Sequence, residues 1–194
     1  LPLKYAPRLE WDRCYREMVT CRRLAIKLRD QWSRRYLNYW HHFSDQAYQA
    51  MTDLKSLGNE NNEVICYHDW ACHNLLIDPV DSDSAYLIDL DSLLVDQAVH
   101  DRANLFRLYL RLWRWSPLAF FKLLWQFDRN YPWRKGELRL LRIYLTFPYD
   151  YWILGRQYFL ERQPWSASYY QEQWQRKIES CLGRELCLEY LTKI

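Results

Sequence analysis

Glycine is scarce in this chain. Four occur in 194 residues, Gly58, Gly136, Gly155 and Gly183, each isolated, and there is no G-x-G anywhere. A glycine-rich loop that cradles phosphates with backbone N–H groups is therefore excluded from these residues. Long apolar runs are missing as well. None approaches the roughly 20 residues that a membrane-spanning helix needs, so no membrane span is expected. No stretch has the pattern of a secretory signal. Charge of one sign is not in large excess: the net charge is +3 and the pI about 8.5. That balance is too mild to argue for a nucleic-acid partner. Internal repeats and low-complexity linkers are absent too.

What is present points to a packed, mostly helical chain. Apolar residues make up 49% and aromatic ones 18%, with eleven Trp and sixteen Tyr. Rings in that number fill a core and its edges, with a base-stacking or sugar-binding platform as the sharper alternative. The six cysteines, Cys14, Cys21, Cys66, Cys72, Cys181 and Cys187, lack a secretory context. The expectation is reduced thiols in a protein made in the cytoplasm. Arginines cluster early, at Arg13, Arg16, Arg22, Arg23, Arg29, Arg34 and Arg35. A solvated basic face is the simplest account of them.

Periodicity divides the chain. Pro2 and Pro7 make residues 1–9 an extended lead-in. From Trp11 to Tyr36 apolar residues recur at three- and four-residue steps, as in a helix. A second helix is expected after Ser44, with Asp45 in its first turn and a buried stripe of Ala47, Tyr48, Met51 and Leu54, ending at Leu57-Gly58. Asn59–Asn62 reads as a polar turn. Val64–Tyr67 is a short run of strand formers. Leu75–Ile77 and Tyr86–Ile88 flank the turn-rich Asp78–Ser84 and read as a hairpin. After Val99 the pattern is helical again, with Leu105, Leu108, Tyr109 and Leu112 as one stripe ending near Ser116-Pro117. Further helices are expected at about 118–129, 136–146, 149–162, 166–182 and 184–192, with Pro132, Pro148 and Pro164 between them. The fold class is α+β and mostly helical, a single domain over 1–194. Residues 1–62 form a helical lead-in, 63–91 a polar loop with the hairpin, and 92–194 a helical bundle.

The polar residues that carry chemistry surround the hairpin. Asp69 and Asn74 lie five residues apart in a loop straight after a strand, and Asp89 and Asp91 end the hairpin's second arm. Such carboxylate and amide oxygens suit Mg²⁺. A loop Asp can also orient, or accept a proton from, a substrate hydroxyl. Kinase active sites use this set: an Asp and a catalytic-loop Asn on the metal, and a second Asp near the nucleophile. Cys66, His68, Cys72 and His73 also invite a zinc reading, but they lack the C-x2-C pairing of structural zinc sites.

The runs YHDWACHNLLID (67–78) and YLIDLDSLLVDQAVHDRANLFR (86–107) resemble the aminoglycoside phosphotransferase and choline kinase superfamily. Within it, the resemblance is to the spore-coat kinase-like (CotS) family. LTFPYDYWILGRQYFLERQPW (145–165) is similar to that family's C-terminal signature, and the arginine-rich opening helices to its lead-in. The resemblance implies the C-terminal lobe of a protein-kinase-like fold, with ATP and Mg²⁺ as cofactors and a small hydroxylated substrate. It implies that Asp69 is catalytic, that Asn74 and Asp89 bind metal, and that Asp91 is an accessory acid. Asp101 would brace the catalytic loop, with Tyr67 in support. It also implies a link to the bacterial spore coat, with coat proteins as partners. The alternative is an inactive kinase-like structural protein of that coat.

The sequence departs from the family in three places. Tyr67 stands where a His is usual two residues before the catalytic Asp, and Ala71 where the antibiotic kinases favour another His. That argues against an aminoglycoside as acceptor. The N-terminal nucleotide lobe is absent: no strand-rich stretch and no glycine loop precede Asp69. With Leu1 in place of an initiator Met, the expectation is the C-terminal part of a longer enzyme, inactive by itself.

Overall fold

The computed structural model of the chain describes residues 4–5, 10–57, 63–81, 84–179 and 183–193. The expected Gly58 cap, the 59–62 turn, most of the proline-containing lead-in and Cys181 lie outside the described residues, as does the side chain of Cys72. Strand β1 (Lys4–Tyr5) is followed by helices α1 (Trp11–Leu28), α2 (Gln31–Asn38) and α3 (Trp40–Ser56). Strands β2 (Glu63–Cys66), β3 (Leu75–Ile77), β4 (Ala85–Leu87) and β5 (Leu94–Gln97) come next. Helices α4 (Ala98–Leu112), α5 (Pro117–Asn130), α6 (Glu137–Thr146), α7 (Tyr149–Gly155), α8 (Ala167–Lys177) and α9 (Arg184–Lys193) complete the order, with a π-helical turn over Arg156–Leu160 after α7.

The long helical run from Trp11 is two helices. Arg29 adopts a left-handed conformation (φ 57°) and its N–H returns to the Ala25 carbonyl, which ends α1. Asp30 then caps α2, accepting from Ser33 N at 2.7 Å, while its other oxygen accepts from the Tyr158 hydroxyl at 2.8 Å. The third helix starts at Trp40, four residues before the expected Ser44. Ser44 is buried inside it and donates back to the His41 carbonyl at 3.0 Å, so it has no need to cap. The buried face of α3 is Phe43, Ala47 and Ala50; Tyr48 is 65% exposed.

Helix α4 likewise buries Val99, Ala103, Phe106 and Leu110, and Leu112 is 69% exposed. Strand β5 falls where a purely helical stretch was expected. It pairs antiparallel with β2 (Cys66 opposite Leu94, Glu63 opposite Gln97) and parallel with β1, giving the sheet order β1-β5-β2. This return strand delivers the first turn of α4 directly beneath the loop that follows β2.

The core is aromatic. Tyr36 stacks on Tyr151 at 4.2 Å between ring centroids, and Trp32 meets Tyr158, Phe159, Tyr170 and Trp174. Each such ring contributes about 1.5–3 kcal/mol through burial alone. Cys14, Cys21, Cys66 and Cys187 are free thiols in or beside this core. Burial pushes Cys14 and Cys187 up to about 11, and Cys21 and Cys66 up to about 12, which makes them inert packing groups. No described helix is long and apolar enough to cross a membrane.

Candidate active site

The site begins with a backbone problem. Strand β2 ends at Cys66, and the chain must then turn sharply; His68 takes φ 63°, unusual for a residue with a Cβ. Asp101, in the first turn of α4, holds that turn. Its carboxylate accepts from Tyr67 N at 2.6 Å and from His68 N at 3.0 Å. Ser92 Oγ donates to the Tyr67 carbonyl at 2.7 Å. The Tyr67 hydroxyl donates to the Ile88 carbonyl, tying this loop to the end of the hairpin. The two bonds to the Asp101 carboxylate are charge-assisted and contribute about 1.5–3 kcal/mol each.

Beyond the turn, Asp69 is exposed and Asn74 is buried. Asn74 Nδ2 donates to Asp69 Oδ2 at 2.9 Å and to its carbonyl at 3.3 Å. Both donations use the amide nitrogen, and Oδ1 makes no hydrogen bond among the described residues. The two residues are brought together by three tight backbone bonds, Asp69 N to Tyr67 O, Ala71 N to Asp69 O and Asn74 N to Ala71 O.

Strands β3 and β4 form the expected hairpin, with Leu75 opposite Leu87. Its turn is closed by Asp78, which accepts from Val80 N at 2.8 Å and Asp81 N at 3.1 Å. Those two bonds hold the Asp78 carboxyl below its ordinary value. At the open end Ile88 N donates to Asn74 O at 3.0 Å, so the residue before Asp89 is bonded to Asn74 itself. Asp89 follows in a left-handed conformation (φ 59°), exposed, its side chain without a hydrogen bond among the described residues. Asp91 lies in the 3-10 turn after it, also exposed. Burial, and then the charges of Asp69 and Asp89, raise the Tyr67 hydroxyl above its usual value, so both carboxylates act on this one ring.

Asp69 stands at the mouth of a cleft of about 530 Å³. That volume suits a small molecule. Its walls come from the loop after β2 (His68, Trp70), the start of α1 (Trp11, Arg13), and α6–α7 with their junction (Tyr144, Phe147, Tyr149, Trp152). Helix α4 supplies His100, Asn104, Arg107 and Arg111 at steps of four, three and four, which is one helical face. Behind the loop, His100 Nδ1 bonds Asp96 Oδ2 at 2.6 Å and His68 Nε2 lies 3.3 Å from the same oxygen. Burial would raise the Asp96 carboxyl, but His100 and His68 outweigh it and hold it far below its usual value.

The sequence reading singled out neither this histidine–aspartate cluster nor the α4 stripe. A signal existed: the polar residues 100, 104, 107 and 111 run parallel to the buried stripe 99, 103, 106 and 110, one residue further round the helix. Of the four residues weighed for zinc, Cys72 has its side chain outside the described residues. His73 is exposed, whereas Cys66 and His68 group with Asp101, and His68 also with Asp96 and His100.

The architecture is that of the mostly helical C-terminal lobe of a protein-kinase-like fold. A solved structure of similar fold is the aminoglycoside phosphotransferase of Alicyclobacillus acidocaldarius subsp. acidocaldarius, with a TM-score of 0.78 at 17% identity. The match covers 94% of this chain and 56% of that one, so the chain spans about half the length of that enzyme. No family model matches the sequence, and no curated protein matches it either.

Proposed function

We infer that these residues form the acceptor-and-metal half of an ATP-dependent phosphotransferase that acts on a hydroxyl of a small molecule. The observation that carries the reading is the Asp69–Asn74 pair at 2.9 Å, with Asp69 lining the cleft and Asp89 directly after Ile88, whose N–H is bonded to the Asn74 carbonyl. Asp69 orients the acceptor hydroxyl and takes its proton. Asn74 Oδ1 and the Asp89 carboxylate are hard oxygens with no competing hydrogen bond among the described residues, a donor set that fits Mg²⁺. Asp91, in the turn after Asp89, is the accessory acid in this reading, and Asp101 and Tyr67 keep the loop in shape. Bound Mg²⁺ and ATP supply the phosphoryl group and neutralise its charge. These residues hold no glycine loop, so any cover for the other face of the nucleotide would have to come from outside them.

The test is ATP turnover by a protein that carries such a lobe, with Asp89→Asn as the control. Turnover should fall by two orders of magnitude or more, as expected for loss of a metal ligand. Equal turnover in the two proteins would end the reading.

The narrower likeness to the spore-coat (CotS) branch rests on the arginine-rich opening helices and on residues 145–165, the latter supplying Phe147, Tyr149 and Trp152 to the cleft. A second reading, an inactive component of that coat with coat proteins as partners, is favoured by the exposed apolar hairpin, where Leu76, Ile77 and Tyr86 face solvent. It expects retention in the coat layer after simultaneous substitution of Asp69 and Asp89.

A further inference from the structure

The cleft beside Asp69 holds more positive charge than its own carboxylates neutralise. Arg13 is paired with Glu10 at 2.5 Å and Arg111 with Asp150 at 2.9 Å. Arg107 has no ion-pair partner among the described residues. Its guanidinium lies 4.6 Å from the Tyr149 ring centroid and donates to Asn104 Oδ1, a neutral acceptor. The nearby Asp150 acts on it only at longer range, being already bonded to Arg111. Arg111 in turn keeps its buried Nε without a hydrogen-bond partner. Two guanidiniums one helical turn apart thus line the cleft with spare donors and one shared carboxylate. A half-buried guanidinium with no carboxylate partner among the described residues is costly, and an anion in the cleft lowers that cost. A flat fork of N–H donors matches a carboxylate or phosphate better than any neutral group.

We propose that the acceptor is an anionic hydroxylated small molecule, its carboxylate or phosphate held by Arg107 and Arg111 while its hydroxyl faces Asp69. Its role as acceptor rests on the phosphotransferase reading above; the anion site does not. Asp69 and the arginines lie on different walls, so one ligand can satisfy both only if it carries an anion at one end and a hydroxyl at the other. A polycationic acceptor meets Arg107 as a like charge and is disfavoured.

Binding is measured by calorimetry on the 194-residue chain, without nucleotide. The probes are inorganic phosphate, glycerol 3-phosphate, D-glycerate and glucose 6-phosphate, with glycerol, glucose and kanamycin as neutral and cationic comparisons. The phosphates and glycerate separate the two anion sources. At least one anionic probe should bind about tenfold or more tighter than its uncharged parent, the order of one charge-assisted bond. Arg107→Met should abolish that gap and Arg107→Lys restore part of it. Should the Met variant not fold, raising the salt concentration must still narrow the gap in the unsubstituted chain. No binding by any anionic probe in the millimolar range, or neutral or cationic probes binding as well, overturns the proposal. Because no ATP is used, a protein that never transfers phosphate can still pass this test. One that transfers phosphate to neutral polyols while showing no anion preference fails it and leaves the phosphotransferase reading standing.

Discussion

Asp96 is the residue on which the site's back wall turns. Two imidazoles share one carboxylate oxygen, His100 at 2.6 Å and His68 at 3.3 Å, and the His68 ring meets the His100 ring edge-on at 4.8 Å. Asp96 is the main cause that raises His68 above its ordinary value of 6.5, with burial opposing it. The sign of the linkage follows. A raised folded-state value means that charged His68 stabilises the fold fully below about pH 6.5, the unfolded value, and that this contribution is lost as pH rises through the higher folded value. Asp96 is depressed, so its contribution is present above about pH 4 and is lost only in stronger acid. The melting temperature should therefore decline on the alkaline side of pH 6.5, and His68→Asn should flatten that decline. A decline of equal slope in the variant would show that the pair plays no part.

At the scale of elements, close approach explains a glycine that the local sequence does not. Gly155 ends α7 with ordinary helical angles (φ −62°), so it is not there for backbone freedom. A Cβ at that position would lie 2.7 Å from Tyr36 Cε2 and 2.8 Å from its hydroxyl. Tyr36 cannot retreat, since it is fully buried and stacked on Tyr151, whose own hydroxyl donates to the Tyr36 carbonyl at 2.8 Å. Gly155→Ala should destabilise the chain by about 1–3 kcal/mol, the usual cost of overpacking, read by denaturant unfolding. A neutral or stabilising effect would mean that α2 and α7 separate easily.

The same contact shows what local pattern conveys. The hairpin was legible because its arms and turn are contiguous and each obeys its own period. The α1–α2 break was not, because Arg29 supplies the left-handed residue without being Gly or Asn. The start of α3 was misplaced because a buried Ser44 satisfied by its own helix looks, in sequence, like a cap.

For the whole molecule, the decisive feature is a sheet region left uncovered. Val64 and Ile65 on β2, Leu75, Leu76 and Ile77 on β3, and Tyr86 and Leu87 on β4 are all more than a third exposed. Alternating residues on both faces of the hairpin are bare, which is rare for apolar strands and marks a surface meant to be covered. It adjoins Asp89, where the nucleotide is proposed to lie, and no described residue covers it. The 194 residues alone should therefore bind Mg-ATP more weakly than micromolar and turn it over barely, if at all. Calorimetric titration checks this, and micromolar binding would contradict it.

The sequence by itself determined the helical fold class, the hairpin, and the nearness of Asp69 to Asn74. These depend on periodicity, turn chemistry and a separation of five residues, all local properties. Asp101 was singled out by resemblance alone; its grip on the loop is a consequence of β5, a strand the sequence pattern did not reveal. Only the tertiary structure decided which face of α4 looks into the cleft, because that depends on α7, some forty residues further on. In the sequence Arg107 is marked only as one member of the polar stripe 100, 104, 107 and 111. That it has no ion-pair partner among the described residues becomes visible only when Asp150 is found already bonded to Arg111.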